Sequence, residues 1–277
     1  MLAMNSSLDA GLIASLSNAA AYGLTVDVVA ATGSTNADLR ARLGDLSQPF
    51  LLAAEQQSAG RGRAGRSWQV APGESLCFSL AWRFNGSLAN LSGLPLAVGV
   101  VLAEVLNARG WPVTLKWPND LLMKGLKLGG ILIETVPVRD IGMNKDAVWA
   151  VIGVGINAHQ SQQLSDAVGH AIAALDTSPV DRNGLLAACA DALASAMLEF
   201  DRTGLGSFAA RWESLHAHAG KQVWLVEAGQ VLHQGIARGI DASGRLLLDT
   251  GAGDVAIAAG DVSLRANLPE GPHAAAH

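Results

Sequence analysis

The sequence predicts a large mixed helix-and-strand domain followed by a small β-barrel. Up to about Leu215, runs rich in β-branched residues are interspersed with stretches of helical spacing. Beyond Gly220 only short strand-like runs remain, separated by Gly, Asp and Ser at regular intervals. Half of the residues are apolar and 16% are charged, a composition that supports a sizeable core.

Leu24–Ala30 alternates weakly, is β-branched, and reads as the first strand. It leads into the polar loop Ala31–Asn36, where Ser34, Thr35 or Asn36 can cap a helix that continues to about Leu43. Phe50–Gln56 and Ser75–Trp82 read as strands flanking a glycine- and arginine-rich loop. Leu91–Asn107 has the spacing of an apolar helix. Val113–Trp117 is a strand that stops at the turn signal Pro118-Asn119-Asp120. Leu126–Glu134 and Val148–Val154 are two more strands, joined by a polar, hairpin-like connector at Pro137–Lys145. Leu185–Phe200 and Ser207–Leu215 read as helices, the second closing the main domain. Lys221–Glu227, Val231–Ile240, Arg245–Asp249 and Val262–Leu264 supply the strands of a barrel of about 50 residues. The boundary falls at Ala217–Gly220, so the expected division is residues 1–218, 219–267 and a tail at 268–277.

A chain of 277 residues with a formal charge of -5 is not a general nucleic-acid binder, because its basic residues are few and mostly scattered. The two cysteines, Cys77 and Cys189, lie far apart in apolar surroundings. No CxxC or His/Cys spacing points to a metal, and the usage fits a reducing cytoplasm. No apolar run reaches the ~18 residues expected of a membrane span. The first 20 residues carry no basic stretch of the kind that opens a signal peptide.

Four segments carry chemistry. Gly60–Arg66, Gly-Arg-Gly-Arg-Ala-Gly-Arg, places three guanidiniums between glycines in an otherwise acidic chain. Bidentate donors beside an approachable backbone suit a small, strongly anionic ligand such as a nucleotide phosphate. It is not a P-loop, since no Lys-Ser/Thr pair closes it, and it lacks the pattern of a dinucleotide fold. Taken alone it also fits a solvated basic loop. Lys116-Trp-Pro-Asn-Asp120 is a strand end in which Asn119 and Asp120 can either bond the local backbone or face a ligand. Lys127-Leu-Gly-Gly-Ile-Leu-Ile-Glu134 puts a lysine at the start of an apolar strand, where burying it calls for an anionic partner. Gly153-Val-Gly-Ile-Asn157 allows close backbone approach.

Together, in order and spacing, these segments and the Ser34-Thr35-Asn36 loop resemble the biotin protein ligases, over about Ser34 to Arg265. The resemblance implies an α+β fold like that of the class II aminoacyl-tRNA synthetases and biotin synthetases, with a mixed sheet backed by helices and an SH3-like C-terminal barrel. It implies that ATP and biotin are substrates, giving biotinyl-5'-AMP and pyrophosphate, and that biotin then passes to a lysine of a biotin carboxyl carrier domain. Mg²⁺ is expected with the ATP phosphates and not as a separate protein-bound metal.

By matching motif positions, Ser34, Thr35 and Gln57 are expected at the ureido ring and Gly60, Gly130 and Gly155 at biotin, while Gly129, Gly130, Gly153 and Gly155 would let backbone approach biotin or nucleotide. Arg61 and Arg63 are expected to hold carboxylate and phosphate oxygens. Lys127 is expected between the biotin carboxyl and the α-phosphate, as the central catalytic group. Arg66, Trp68, Asn119, Asp120, Asn157 and Arg265 are expected on the nucleotide side. For Arg66 a loop-stabilising role stands beside the phosphate contact, and for Asp120 a turn-stabilising one. Some family members carry an N-terminal DNA-binding module, and the roughly 23 residues before the first strand are too few for one. The expectation is therefore a cytoplasmic ligase with no DNA or membrane partner, either monomer or homodimer. A lipoate or octanoate ligase, a ligand-sensing regulator and a non-catalytic biotin-binding module are the alternatives.

Overall fold

The structure is a computed structural model that describes residues 7–68, 73–140, 145–159, 171–175, 180–227, 230–259 and 263–265. The expected tail at 268–277 lies outside the described residues. Seven strands form one sheet in the order β1-β2-β3-β7-β6-β5-β4. They are β1 (Thr25–Thr32), β2 (Phe50–Gln57), β3 (Ser75–Asn85), β4 (Val113–Lys116), β5 (Asp120–Met123), β6 (Leu126–Asp140) and β7 (Lys145–Asn157). The β1–β2 pair is parallel and every other pair antiparallel. Parallel strands need a crossover, and α2 (Thr35–Arg42) supplies it.

Alternation along β3 divides the molecule into two layers. Leu76, Phe78, Leu80, Trp82 and Phe84 point into the main core, where they meet α3 (Leu94–Asn107), α4 (Arg182–Thr203) and α5 (Gly206–Leu215). On the opposite face Ala81 packs with Leu52, Trp149 and Val151 beneath Leu39 and Leu43 of the α2 segment. This second apolar cluster is small, so the rest of that face is left to polar and glycine positions. That is where the site forms.

Local rules explain the ends of these elements. Ser34 caps α2, its Oγ accepting from the Ala37 N–H. Gly93, in the left-handed region at φ 81°, opens α3, and Asn107 closes it by exchanging both amide hydrogen bonds with the Val113 backbone. Lys124 and Gly125 both take positive φ (52° and 77°), as the tight β5–β6 hairpin requires. The Glu55 carboxylate would be raised by burial. Hydrogen bonds from Arg182, at 2.7 and 3.1 Å, and from the Leu8 N–H hold it below its usual value instead.

The C-terminal sheet has the order β11-β10-β9-β8-β12, all antiparallel. It comprises β8 (Gln222–Glu227), β9 (Gln230–Ile240), β10 (Leu246–Asp249), β11 (Asp254–Ile257) and β12 (Ser263–Arg265), an arrangement consistent with the SH3-like expectation. The Trp117 indole N–H, in the β4–β5 turn, donates to the Gly244 carbonyl at 3.0 Å, and Glu213 of α5 accepts from the Ile240 N–H at 2.8 Å, tying this sheet to the larger domain.

Three elements and one connector depart from expectation. β5 follows the Pro118–Asn119 turn at once, where the sequence predicts no strand. The sequence gives no sign of α1 (Ala10–Leu16), a short helix held by the Asp9 cap and one buried residue, Ile13. β11 lies in a Gly- and Ala-rich stretch that hides its weak alternation. The polar connector at Pro137–Lys145 is strand as far as Asp140, with residues 141–144 outside the described residues. In addition, Leu88–Asn107 is by length and composition apolar enough to cross a membrane, against the expectation that no run reaches that length. More than half of that window is buried inside the fold, which its core-facing residues on α3 explain.

Candidate active site

The charged end of the site is built by the β4–β5–β6 edge of the large sheet. Lys116 and Asp120 are paired across the β4–β5 turn, which contains a cis Trp117–Pro118 peptide. Asp120 in turn lies opposite Gly130. Lys127 Nζ reaches Asp120 Oδ1 at 2.7 Å, and Lys116 Nζ lies 3.9 Å from Oδ2. A Cβ added at Gly130 would meet the Lys127 ammonium and the Asp120 carboxylate at 3.6–3.7 Å, so both functional side chains lie over this glycine.

The surroundings of Lys116 reveal the electrostatic balance. Burial lowers its pKa most, and the positive charges of Lys127, Arg265 and Arg66 lower it further, while Asp120 acts in the opposite sense. Among the described residues, three cations and one carboxylate, Asp120, thus act on the charge of Lys116. An arrangement with more positive than negative charge favours an anionic ligand. Arg265, exposed on the C-terminal sheet, acts on Lys116 through its charge.

Loop 60–68 closes on itself above this edge. Gly62 N–H donates to the Arg66 carbonyl, Trp68 N–H to the Gly60 carbonyl at 2.9 Å, and Arg61 and Ser67 form an antiparallel bridge. The turn at Arg63–Gly65 places Ala64 at φ 54° and Gly65 at φ 69°. Arg63 donates to Asn119 Oδ1 at 3.1 Å, while Asn119 Nδ2 donates to the Ile131 carbonyl at 2.8 Å. One asparagine thus clasps the arginine loop to β6. Arg66 turns its Nε back to the Arg63 carbonyl at 3.2 Å. Arg61 is exposed.

The other end of the site is neutral and buried. Thr35 and Asn36 are 3% and 6% exposed. Gln57 Oε1 accepts from the Thr35 N–H at 2.8 Å and lies 3.1 Å from the Thr35 hydroxyl. The Thr35 and Ser79 hydroxyls are 2.7 Å apart, Ser79 donates to Asn36 Oδ1 at 2.6 Å, and Asn36 Nδ2 donates to Glu134 Oε2 at 2.9 Å.

Between the two ends lies Trp68. Its indole covers Gly155, where a Cβ would sit 2.5 Å from the ring, and the Lys127 ammonium is 5.9 Å from a Trp68 ring centroid. The buried Trp68 Nε1 has no hydrogen-bond partner among the described residues. The glycines are thus required by the chain's own groups. Gly155 accommodates Trp68, Gly153 accommodates Asn36 (2.3 Å from an added Cβ), and Gly129 accommodates the Gly155 carbonyl (2.6 Å). Gly60 sits against the Trp68 carbonyl and Gln57 Nε2. Asn157 spends its amide on the Ala173 carbonyl at 2.9 Å, pinning residues 172–175 beside Lys127.

The sequence-based site residues thus gather along one edge and one face of the large sheet, with Arg265 added from the C-terminal sheet. Lys116 and Glu134 stand in two of the four chemistry-bearing segments, but sequence reasoning gives neither a role, and it passes over Ser79. A signal was present for two of the three. Ser79 and Glu134 are polar residues in otherwise apolar strands, and such positions demand buried partners.

Two family models match the chain. "Biotin/lipoate A/B protein ligase family" matches residues 28–157 and "Biotin protein ligase C terminal domain" matches residues 218–265. The Escherichia coli bifunctional ligase/repressor BirA is 37% identical, over 88% of this chain and 75% of its own length. The biotin–[acetyl-CoA-carboxylase] ligase of Mycobacterium tuberculosis is 34% identical, over 86% of this chain and 88% of its own. Among solved structures, the Aquifex aeolicus biotin protein ligase in complex with biotin and ATP superposes with a TM-score of 0.72 at 25% identity, covering 87% of this chain and 99% of that one.

Proposed function

This chain belongs to the biotin protein ligase family, and from that footing we propose how its residues activate biotin and pass it to a carrier protein. The activity is that of an ATP-dependent biotin–[acetyl-CoA-carboxylase] ligase. In the first step a biotin carboxylate oxygen forms a bond to the α-phosphorus of ATP and the bond to pyrophosphate breaks. In the second, a lysine amine of the carrier attacks the carbonyl of the mixed anhydride, AMP leaves with the bonding electron pair, and the amine loses a proton. The carrier is proposed to be the biotin carboxyl carrier protein of acetyl-CoA carboxylase or of a related carboxylase.

The observation that supports this reading is the pairing of a cation-rich end with a neutral hydrogen-bonding end on one sheet. Biotin has the same polarity, with a neutral urea at one end and a carboxylate at the other. Lys127 is assigned the space between that carboxylate and the α-phosphate. Its ammonium, already oriented by Asp120, offsets negative charge that builds on the phosphorane in the first step and on the carbonyl oxygen in the second. Arg63, Arg66, Lys116 and Arg265 are assigned to phosphate oxygens, with Arg61 joining Arg63 over the carboxylate as the loop closes. Bringing two anions together is the main barrier to encounter, and a fixed excess of cations lowers it.

Trp68 is assigned the wall between biotin and adenine, helping to keep water from the anhydride. Asn119 and Asn157 are assigned to the nucleotide side, where each already braces a neighbouring segment. Asp120 orients the two lysines. Mg²⁺ is proposed to enter as the counter-ion of the ATP phosphates, because Asp120 is already engaged by both lysines and offers no multi-carboxylate cage. Residues 1–218 are proposed as the catalytic unit and 219–267 as the SH3-like one, in a cytoplasmic enzyme that acts without DNA or membrane, as monomer or homodimer. Incubating the purified chain with ATP, labelled biotin and an isolated carrier domain tests this reading. Label on the carrier lysine is expected, and its absence in the presence of both substrates would overturn it.

A further inference from the structure

The hydrogen-bond chain behind Thr35 has a direction that the structure determines. Gln57 Oε1 accepts from a backbone N–H, that of Thr35, so its amide has one orientation and Nε2 points the other way, toward Gly60. Asn36 Nδ2 faces two acceptors, the Leu132 carbonyl at 3.3 Å and the Glu134 carboxylate at 2.9 Å, so its Oδ1 is the end that meets Ser79. The Ser79 proton is therefore committed to Asn36 Oδ1. Of the two hydroxyls 2.7 Å apart, only Thr35 has a proton left to give, and Ser79 can only accept. The second neighbour of the Thr35 hydroxyl, Gln57 Oε1, is also an acceptor. Whichever of the two takes the Thr35 proton, the proton stays within the protein.

We propose that the Glu134–Asn36–Ser79 chain makes the Thr35 hydroxyl acceptor-only toward the ligand, and so sets the polarity with which the neutral end reads a cyclic urea. Thr35 then offers lone pairs to a urea N–H, while Gln57 Nε2 offers a hydrogen to the urea oxygen. Glu134, with the Leu132 carbonyl beside it, sets the direction because both can only accept, whereas the exposed ion pair of its other oxygen with Arg40, at 2.9 Å, is no part of the relay. Ser79, Asn36 and Glu134 are positioning residues that act through Thr35, and none of them needs to touch biotin. The small size of Gly153 belongs to the same device, since a Cβ there would fall 2.3 Å from Asn36 Oδ1.

This proposal rests on the reading of the site as a biotin ligase, and a double-mutant cycle separates the two. Biotin-dependent ATP–pyrophosphate exchange by the full chain gives KM for biotin and for ATP in wild type, Ser79→Ala, Glu134→Gln, Thr35→Val, the two doubles with Thr35→Val, and Arg40→Ala as a control. Ser79→Ala and Glu134→Gln are each expected to raise the biotin KM about tenfold, with the ATP KM within about twofold of wild type. Each double is expected to match Thr35→Val alone within about twofold, since the relay has nothing to act on once the hydroxyl is gone. Arg40→Ala should leave both constants near wild type. Single variants with unchanged biotin KM, or doubles whose effects multiply, overturn the relay while leaving the ligase reading intact. A wild type with no biotin-dependent exchange overturns the ligase reading and the relay with it. If Glu134→Gln fails to fold, the Ser79→Ala cycle decides, as it removes a single oxygen atom.

Discussion

The two ends of the site solve opposite problems on one sheet. At the β4–β6 edge charges are held in excess and partly in water, with Lys127 31% and Lys116 24% exposed around one carboxylate. At the β2–β3–β7 end Ser34, Thr35 and Asn36 are neutral, 3–9% exposed and almost completely paired, with the one charged partner, Glu134, set behind them. The difference follows from desolvation. Unpaired charge is too costly to bury, so an anion site is left accessible and under-neutralised until its ligand arrives. Neutral donors and acceptors are cheap to bury if paired, so they can be oriented in advance and read the ligand by hydrogen-bond direction.

That comparison can be broken from either side. The largest effect is expected at Lys127. Lys127→Ala should lower kcat for adenylate formation by about 10³-fold, the order seen when a charge-stabilising donor is lost, with the biotin KM changed much less. Single-turnover measurement of pyrophosphate release checks this. Arg63→Ala removes a loop cation and its clasp to Asn119, and should cost roughly 10²-fold in kcat/KM. The same variant should speed protease cleavage between Arg61 and Arg66, which a gel time course reads directly.

At the neutral end, Gly153→Ala pushes Asn36 out of place and is expected to raise the biotin KM about tenfold while sparing the ATP KM. Equal loss for both substrates would erase the division between the ends. The smallest effect is one of pH. Lys116 has a lowered pKa, so its charge is lost at a lower pH than an ordinary lysine's as pH rises. ATP affinity should therefore weaken along an alkaline limb, and Lys116→Arg, whose guanidinium stays charged, should move that limb upward. A pH profile of the ATP KM in the two proteins measures the difference.

A further pH effect separates the junction from both ends. Burial holds His216 and His218 down to about 4, so both are neutral in the fold at pH 7. Their unfolded counterparts take up protons first as pH falls. Stability from these groups is thus fully present above about pH 6.5 and is lost as pH drops toward 4. The thermal midpoint should fall over that window, and replacing both histidines with non-titrating residues should flatten the fall.

The two ends also differed in how far the sequence revealed them. Charged positions stood out because arginines between glycines and a lysine in an apolar strand are locally improbable. The effect of the Arg265 charge on Lys116 depends on docking the C-terminal sheet, which no local pattern records. The neutral end was half visible. Ser34, Thr35 and Gln57 came from a loop and a strand end, whereas Ser79 and Glu134 sat inside strands that read as core. The glycines were visible as glycines, but their neighbours were not. That Gly155 makes room for Trp68 and Gly153 for Asn36 is a property of sheet register. Of the fold, the long amphipathic elements were legible. α1, β5 and β11 were not, since the first two are short and the third is concealed by its glycines and alanines.

The central claim is that the cationic end and the neutral end act on one ligand, biotin, in a single adenylation site. Exchange of labelled pyrophosphate into ATP, catalysed by the purified chain with and without biotin, tests it most directly. The account predicts exchange that requires biotin, collapses in Lys127→Ala, and is not supported when lipoate replaces biotin. Exchange that proceeds equally without biotin, or with lipoate alone, would contradict it.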